Sequence, residues 1–225
     1  MYGAEDLEAF FILQIEKLFC MSDPEISALP DLEDLKNFLI ASIVTGLAFS
    51  AFYNDFSFTG LSFFVASSGI VIFSRELGVR TAVNLLDGYV DLEVSSPGVT
   101  TTLFGAIISV ATGLGVILLF PIYNSISRKK FENWGKSTDS IWARYQFYIS
   151  ALGIVALLSS WLVANSLGFN RLAQMYGIFA FFQMLPFDYS GIPTGPLDGA
   201  YIIRWSGFYW LMLTGLSLLA IAFTL

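Results

Sequence analysis

Two short polar segments in an otherwise apolar chain carry the residues able to do chemistry: Arg75-Glu76-Leu77-Gly78-Val79-Arg80 and Gly195-Pro196-Leu197-Asp198-Gly199-Ala200. Glu76 and Asp198 are carboxylates, groups that move protons or hold hard cations. The chain has no histidine and one cysteine, Cys20, so it can build neither an imidazole or thiolate zinc centre nor an internal disulfide by itself. A metal site assembled from it would be carboxylate-only, which suits calcium or magnesium more than zinc. Each segment also has a plain reading. Arg75, Glu76 and Arg80 can mark the water interface at the end of a span, with Glu76 and Arg80 on one helix face at i,i+4. Asp198 can cap a helix that begins near Gly199.

The elements that must position these residues are set by the solvent. Of 225 residues 56% are hydrophobic, 16% aromatic and only 13% charged, with a mean hydropathy of +0.69. Such a chain buries its apolar surface in lipid, so the expected class is a multi-pass integral membrane protein of the cell membrane, with the bilayer as its first partner. The net charge of -7 argues against nucleic acid, which needs a basic surface.

Six spans are expected, over 38–52, 58–73, 103–122, 147–163, 175–185 and 208–225. The predicted fold class is therefore an all-α polytopic membrane protein with a short membrane-associated β segment. The fifth span is too short to cross ~30 Å of hydrocarbon at 1.5 Å per residue, so it starts earlier, thins the bilayer or is broken. Broken spans are where membrane proteins place sites. Residues 88–95 alternate apolar and acidic side chains, the pattern of a strand, and a strand beside the membrane needs a pairing partner or protein cover.

Two parts are expected: an acidic amphipathic segment over 1–36 and a membrane domain over 37–225. In the first, Leu7, Phe10, Phe11, Ile15, Leu18 and Phe19 recur at helical spacing, and this helix docks on the membrane body, on lipid or on a partner. A second helix starting near Asp31 runs into the first span. The start lacks the positive charge and cleavage site of a signal peptide, so the segment is expected to be retained, and the last span is expected to end the chain at Leu225. Arg128, Lys129, Lys130, Lys136 and Arg144 crowd the connection between the third and fourth spans. That density places the connection in the cytoplasm and the amino terminus outside.

Around the second polar segment, Pro186, Pro193 and Pro196 with Gly191, Gly195 and Gly199 exclude a continuous helix. Backbone groups freed at membrane depth must be met by protein or by a wet cavity, so Asp198 is expected to face inward.

Taken together the segments resemble the site-2 protease family of intramembrane zinc metalloproteases. Arg75-Glu76-Leu77-Gly78-Val79 stands in the place of that family's H-E-x-x-H, residues 88–95 in the place of its strand, and Pro196-Leu197-Asp198-Gly199 matches its aspartate turn. The arrangement covers about residues 38–225, with some dozen residues specific. The resemblance puts Glu76 on the family's general acid/base and Asp198 on its carboxylate ligand. Both histidine positions are lost, to Arg75 and Val79. Gln183 takes the place of a motif asparagine and Pro186 is retained, but the stretch 187–195 is longer than the family's spacing.

A catalytic zinc needs three protein ligands and lowers the pKa of its bound water. With both histidines gone the resemblance implies no intact catalytic site, no bound metal or cofactor and no peptidase activity. Two buried carboxylates without a metal call for another positive charge. Arg75 can supply it by pairing with Asp198 and Glu76, with Arg80 or Arg204 completing the balance. The alternative is that Arg75 reaches out to the interface. Three functions remain open: an inactive protease-like protein that binds a transmembrane helix or membrane-protein partner, a structural subunit of a larger membrane complex, and a carboxylate-based enzyme or small transporter.

Overall fold

The computed structural model describes residues 32–86, 89–127, 138–187 and 196–224. The expected amphipathic helix, Cys20, the basic run at 128–136 and Pro193 lie outside the described residues. What is described is mostly helical, with one two-stranded sheet.

Helix α1 (Leu32–Phe52) opens on the acidic Glu33 and Asp34, which suit the positive end of the helix dipole. It begins where the Asp31 start was expected and runs without a break through the first span. A tight turn with Asn54 at φ 51° leads to α2 (Phe58–Leu85). Ser57 caps α2 by accepting from the Gly60 amide at 3.0 Å. Asp55 accepts from the Ser57 hydroxyl at 2.7 Å and its amide at 3.2 Å, which holds the Asp55 carboxyl below its usual pKa.

Strand β1 (Tyr89–Val94) follows, inside the expected 88–95. Then come α3 (Ser96–Thr112), β2 (Ile122–Ser127), α4 (Thr138–Ser166), α5 (Asn170–Gln183), α6 (Asp198–Trp205) and α7 (Gly207–Ala222). Three helices are long and apolar enough to cross a membrane: α1, α2, and α4 over Ala143–Ser166. Helices α3 and α7 are shorter apolar helices. Helix α5 starts five residues earlier than the expected 175, yet its 14 residues reach only about 21 Å.

The expected third span over 103–122 is corrected. Its helix begins earlier, at Ser96, capped by the Ser95 hydroxyl on the Gly98 amide. It stops at Gly113, whose φ of 67° is left-handed and closes the last turn onto the Ser109 carbonyl. From Gly115, beside the Phe52 carbonyl, the chain runs extended back along α3. Leu118 lies over Gly105, the Phe120 carbonyl lies over Gly98, and the Pro121 carbonyl accepts from the Ser95 amide at 3.1 Å. It then becomes β2, the partner that β1 required, antiparallel with Leu92 opposite Asn124.

Burial is inverted relative to a protein in water. Ser42, Thr45, Ser50, Ser67, Ser68, Ser150 and Ser217 are buried, while Leu39, Phe63, Phe73, Leu162 and Leu211 are exposed. Ser42 and Ser217 return hydrogen bonds to their own helix, to the Phe38 and Leu213 carbonyls, and such small side chains let helices approach closely. Helix α2 packs between α1 and α4, α5 lies on α4, and α7 lies on α5. A core of Phe49, Phe64, Ile72, Ile154, Leu157, Met175 and Phe179 fills the space between them.

Candidate functional site

The Arg75 side chain does not reach out to an interface. The residue is 0% exposed and is the largest fully buried side chain among the described residues. Its guanidinium grips Asp198 with two parallel bonds, Nε to Oδ2 at 2.8 Å and Nη2 to Oδ1 at 2.9 Å. The remaining terminal nitrogen, Nη1, donates to Glu76 Oε1 at 2.7 Å and to Asn124 Oδ1 at 3.2 Å. Glu76, Asn124 and Asp198 are themselves nearly fully buried. The planar fork of arginine matches a carboxylate edge to edge, which a lysine ammonium cannot reproduce.

Local sequence explains how three elements meet here. In α2, Gly78 faces α4 so closely that an added Cβ would lie 2.6 Å from the Leu152 carbonyl. Gly153 of α4 answers it, leaving space that Val79 and the Arg75 stem occupy. At the start of α6, a Cβ on Gly199 would lie 2.1 Å from the Met184 carbonyl. The absence of a side chain there lets the first turn of α6 dock on the end of α5, which carries Asp198 to the guanidinium. The Leu197 amide donates to the Phe187 carbonyl at 3.0 Å, and the Trp210 indole donates to Met184 at 2.7 Å. Asp198 is the first helical residue and Leu197 occupies the cap position, so Asp198 does not stand where a cap would, and its two oxygens go to Arg75.

The other sequence candidates fall as follows. Val79 is fully buried in an apolar cluster with Ala82, Val83, Val90 and Ile149. Gln183 is fully buried at the end of α5, and both polar atoms of its amide lack a partner among the described residues. Glu76 Oε2 and Asn124 Nδ2 are in the same condition. Pro186 is exposed, whereas Pro196 and Gly199 are buried. Arg80, one turn beyond Glu76, extends to Asp34 of α1 at 2.5 Å. Arg204 is exposed and takes no part in these pairs.

Sequence reasoning missed Asn124, Asp34 and Asn37. Asn124 was hidden because the third span was carried through Ile122, which left the alternation of 122–127 unread. Asp34 accepts from the Leu92 amide at 2.8 Å and Asn37 donates to the Leu92 carbonyl at 2.8 Å. Two α1 side chains thus satisfy the outer edge of β1 and tie the sheet beside Arg75. At the opposite end, Tyr53 donates to Gln174 at 2.5 Å beneath the Arg171 guanidinium, and burial pushes its phenol up to about 12.

No family model, curated protein or solved structure matches the chain. The site is therefore judged on its own donors. They do not fit zinc: the chain has no histidine, the side chain at 79 is a buried valine, and both Asp198 oxygens accept from a cation already in place. Among the described residues no three acidic, cysteine or histidine side chains cluster as a metal site would need.

Proposed function

We propose that this chain is a catalytically inactive, site-2-protease-like, multi-pass protein of the cell membrane that binds a transmembrane segment or another membrane protein. The observation that carries the reading is the fully buried Arg75 fork on Asp198. A buried ion pair is a poor device for stability, because apolar side chains of the same volume do as well or better. The pairing makes sense as the replacement of a metal by a fixed cation between two carboxylates inherited from a catalytic centre. The order of the motifs, the strand between them and the α5 break before Asp198 support the same ancestry. Helices α3, α5 and α7 are read as further membrane-embedded elements, completing a six-helix body.

The carboxylate-enzyme reading is disfavoured by the same geometry, since both Asp198 oxygens and one Glu76 oxygen are already engaged by the Arg75 guanidinium. What remains useful is the apolar exterior and the helix body, which suit recognition rather than cleavage.

The test is to rebuild the inferred ancestor. Purified native chain is expected to hold no stoichiometric zinc by elemental analysis. The double variant Arg75→His with Val79→His is expected to bind one zinc per chain, because positions 75 and 79 are one helical turn apart on α2 and the side chain at 75 already meets Asp198. Adding Asp198→Ala should abolish that binding. Stoichiometric zinc in the native chain, or a folded double variant indifferent to zinc, would overturn the reading.

A further inference from the structure

Where α4, α6 and α7 meet, an aromatic cluster lies open between two arginines. Phe147 of α4 packs on Trp205 and Tyr209, with ring centroids 6.3 Å and 5.5 Å away. Trp205 is 40%, Tyr209 46% and Phe208 71% exposed. Arg144, one turn before Phe147, lies over the Tyr148 ring at 5.5 Å, and Arg204 adjoins Trp205; both arginines are exposed. Among the described residues no carboxylate pairs with either of them. The patch is apolar at its centre and cationic at its margins.

It sits at the end of the molecule where α1 begins. Trp210 donates to the Met184 carbonyl at the end of α5, Gly199 beside Asp198 docks on the same carbonyl, and Arg80, beyond Arg75 on α2, meets Asp34 at the start of α1. The residues before α1 have the complementary composition. Positions 1–31 hold seven acidic residues and one lysine, and so carry six of the chain's seven net negative charges. At about 100° per residue Leu7, Phe11, Ile15 and Leu18 share one face, and Glu5, Glu8 and Glu16 fall together along one margin of it. Anionic lipid repels such a margin, whereas arginines on protein attract it. The reach is sufficient: residues 20–31 span up to about 40 Å when extended. The three helix-to-helix steps from α1 through α2 and α4 to α6 cover about 24–30 Å.

We propose that the chain's own acidic segment, residues 5–19, docks on this patch, its apolar face on Trp205, Phe208 and Tyr209 and its acidic margin on Arg144 and Arg204. The contact is intramolecular, so the tether supplies an effective concentration on the order of mM, and ion pairs that are weak singly are enough to hold it. The docked segment covers the far end of α6, the short helix whose first residue is gripped by Arg75. Helix α6 is then held at both ends, by the buried fork at Asp198 and by the amino-terminal segment at Trp205. This goes beyond the partner-binding reading and does not rest on it.

The experiment is cross-linking of the full chain in phosphatidylcholine nanodiscs holding one copy each, in a Cys20→Ser background. A short bis-maleimide is offered to the pair Gln14→Cys with Gly207→Cys, position 207 being one where an added Cβ meets nothing within 4 Å. Gly215→Cys, about two turns further along α7 and equally unobstructed, is the control partner. Linkage from 14 to 207 is expected to be ~10-fold or more faster than from 14 to 215. Arg144→Glu with Arg204→Glu should slow it ~10-fold, and Glu5→Arg, Glu8→Arg and Glu16→Arg added to the same chain should restore it. Equal rates to 207 and 215, or no linkage in single-copy discs, overturn the proposal, as seating on lipid or on a second copy would produce. Linkage that ignores the reversal of charge is apolar adhesion and overturns it equally, as does linkage that the charge exchange fails to regain. None of these outcomes bears on zinc binding, so the docking and the inactive-protease reading stand or fall separately.

Discussion

At Arg75 three charges share one dry volume, and their energies are coupled. Arg75→Leu leaves Asp198 and Glu76 buried without compensation and is expected to destabilise the chain by about 3–5 kcal/mol. The double variant Arg75→Leu with Asp198→Leu should recover the part of that loss due to Asp198, while Glu76 stays without its Arg75 partner. Arg75→Lys keeps the charge but not the fork and should fall between wild type and Arg75→Leu. Denaturant unfolding in mild detergent, read as a double-mutant cycle, checks this. Strict additivity of the two single losses would show that the pair is not coupled as the 2.8 Å and 2.9 Å bonds imply. Much of this residue-scale picture was legible beforehand, because a charge in an apolar chain must find a partner and Asp198 was the obvious one. Asn124 was not legible, since an asparagine carries no mark of burial until the strand that holds it is known.

Among the elements, the sheet and its clamp were the least readable. Strand β1 announced itself by its alternation, but its partner lay inside what hydropathy alone reads as a continuous helix. An apolar run such as Val116–Phe120 suits a helix or an extended segment equally, and Gly113 decides between them by ending the helix in a left-handed turn. The α1 side chains that hold β1 give a prediction at this scale. Asp34→Ala removes the acceptor of the Leu92 amide, so that amide should exchange ~10-fold faster or more, in line with about 1.5–3 kcal/mol for a hydrogen bond to a charged group. Amides in the middle of α1, such as Thr45, should be unaffected. Equal acceleration of both would show that the variant loosens the helix rather than the clamp.

For the molecule as a whole, the extended return changes which elements meet at each end. Because residues 115–121 travel back along α3, β2 ends up beside β1, at the same end as the start of α1. Helix α4 then departs from that end, packing on α2 through Gly153 and Gly78 and finishing near the Tyr53–Gln174 contact. The end of β2 and the start of α4 therefore lie at the same end of the molecule as the start of α1, whereas six consecutive spans over the expected ranges would have put them at opposite ends. By the positive-inside rule, the end carrying Lys36, Arg80 and Arg144 is expected to face the cytoplasm. Single cysteines placed at the exposed Asn54 and Asn84 in a Cys20→Ser background should react with an impermeant reagent from opposite sides of sealed vesicles, Asn84 from the cytoplasmic side. Reaction of both from the same side would mean that α2, 28 residues long, does not cross.

The sequence by itself determined the solvent, the helical class, the α1 start near Asp31, the β1 strand and the two segments worth examining. These follow from local quantities: hydropathy, period, and the scarcity of charge. It also determined that no histidine was available for a metal. Tertiary structure alone decided that Arg75 and Asp198, 123 positions apart, are joined by a fork, and that Asn124 joins them. It decided too that the third apolar run turns back as an extended chain. The reason is physical. Which way a buried charge points, and whether an apolar run coils or extends, depends on what approaches it from elsewhere in the chain: Gly78 on α4, Gly199 on α5, Gly98 under the Phe120 carbonyl.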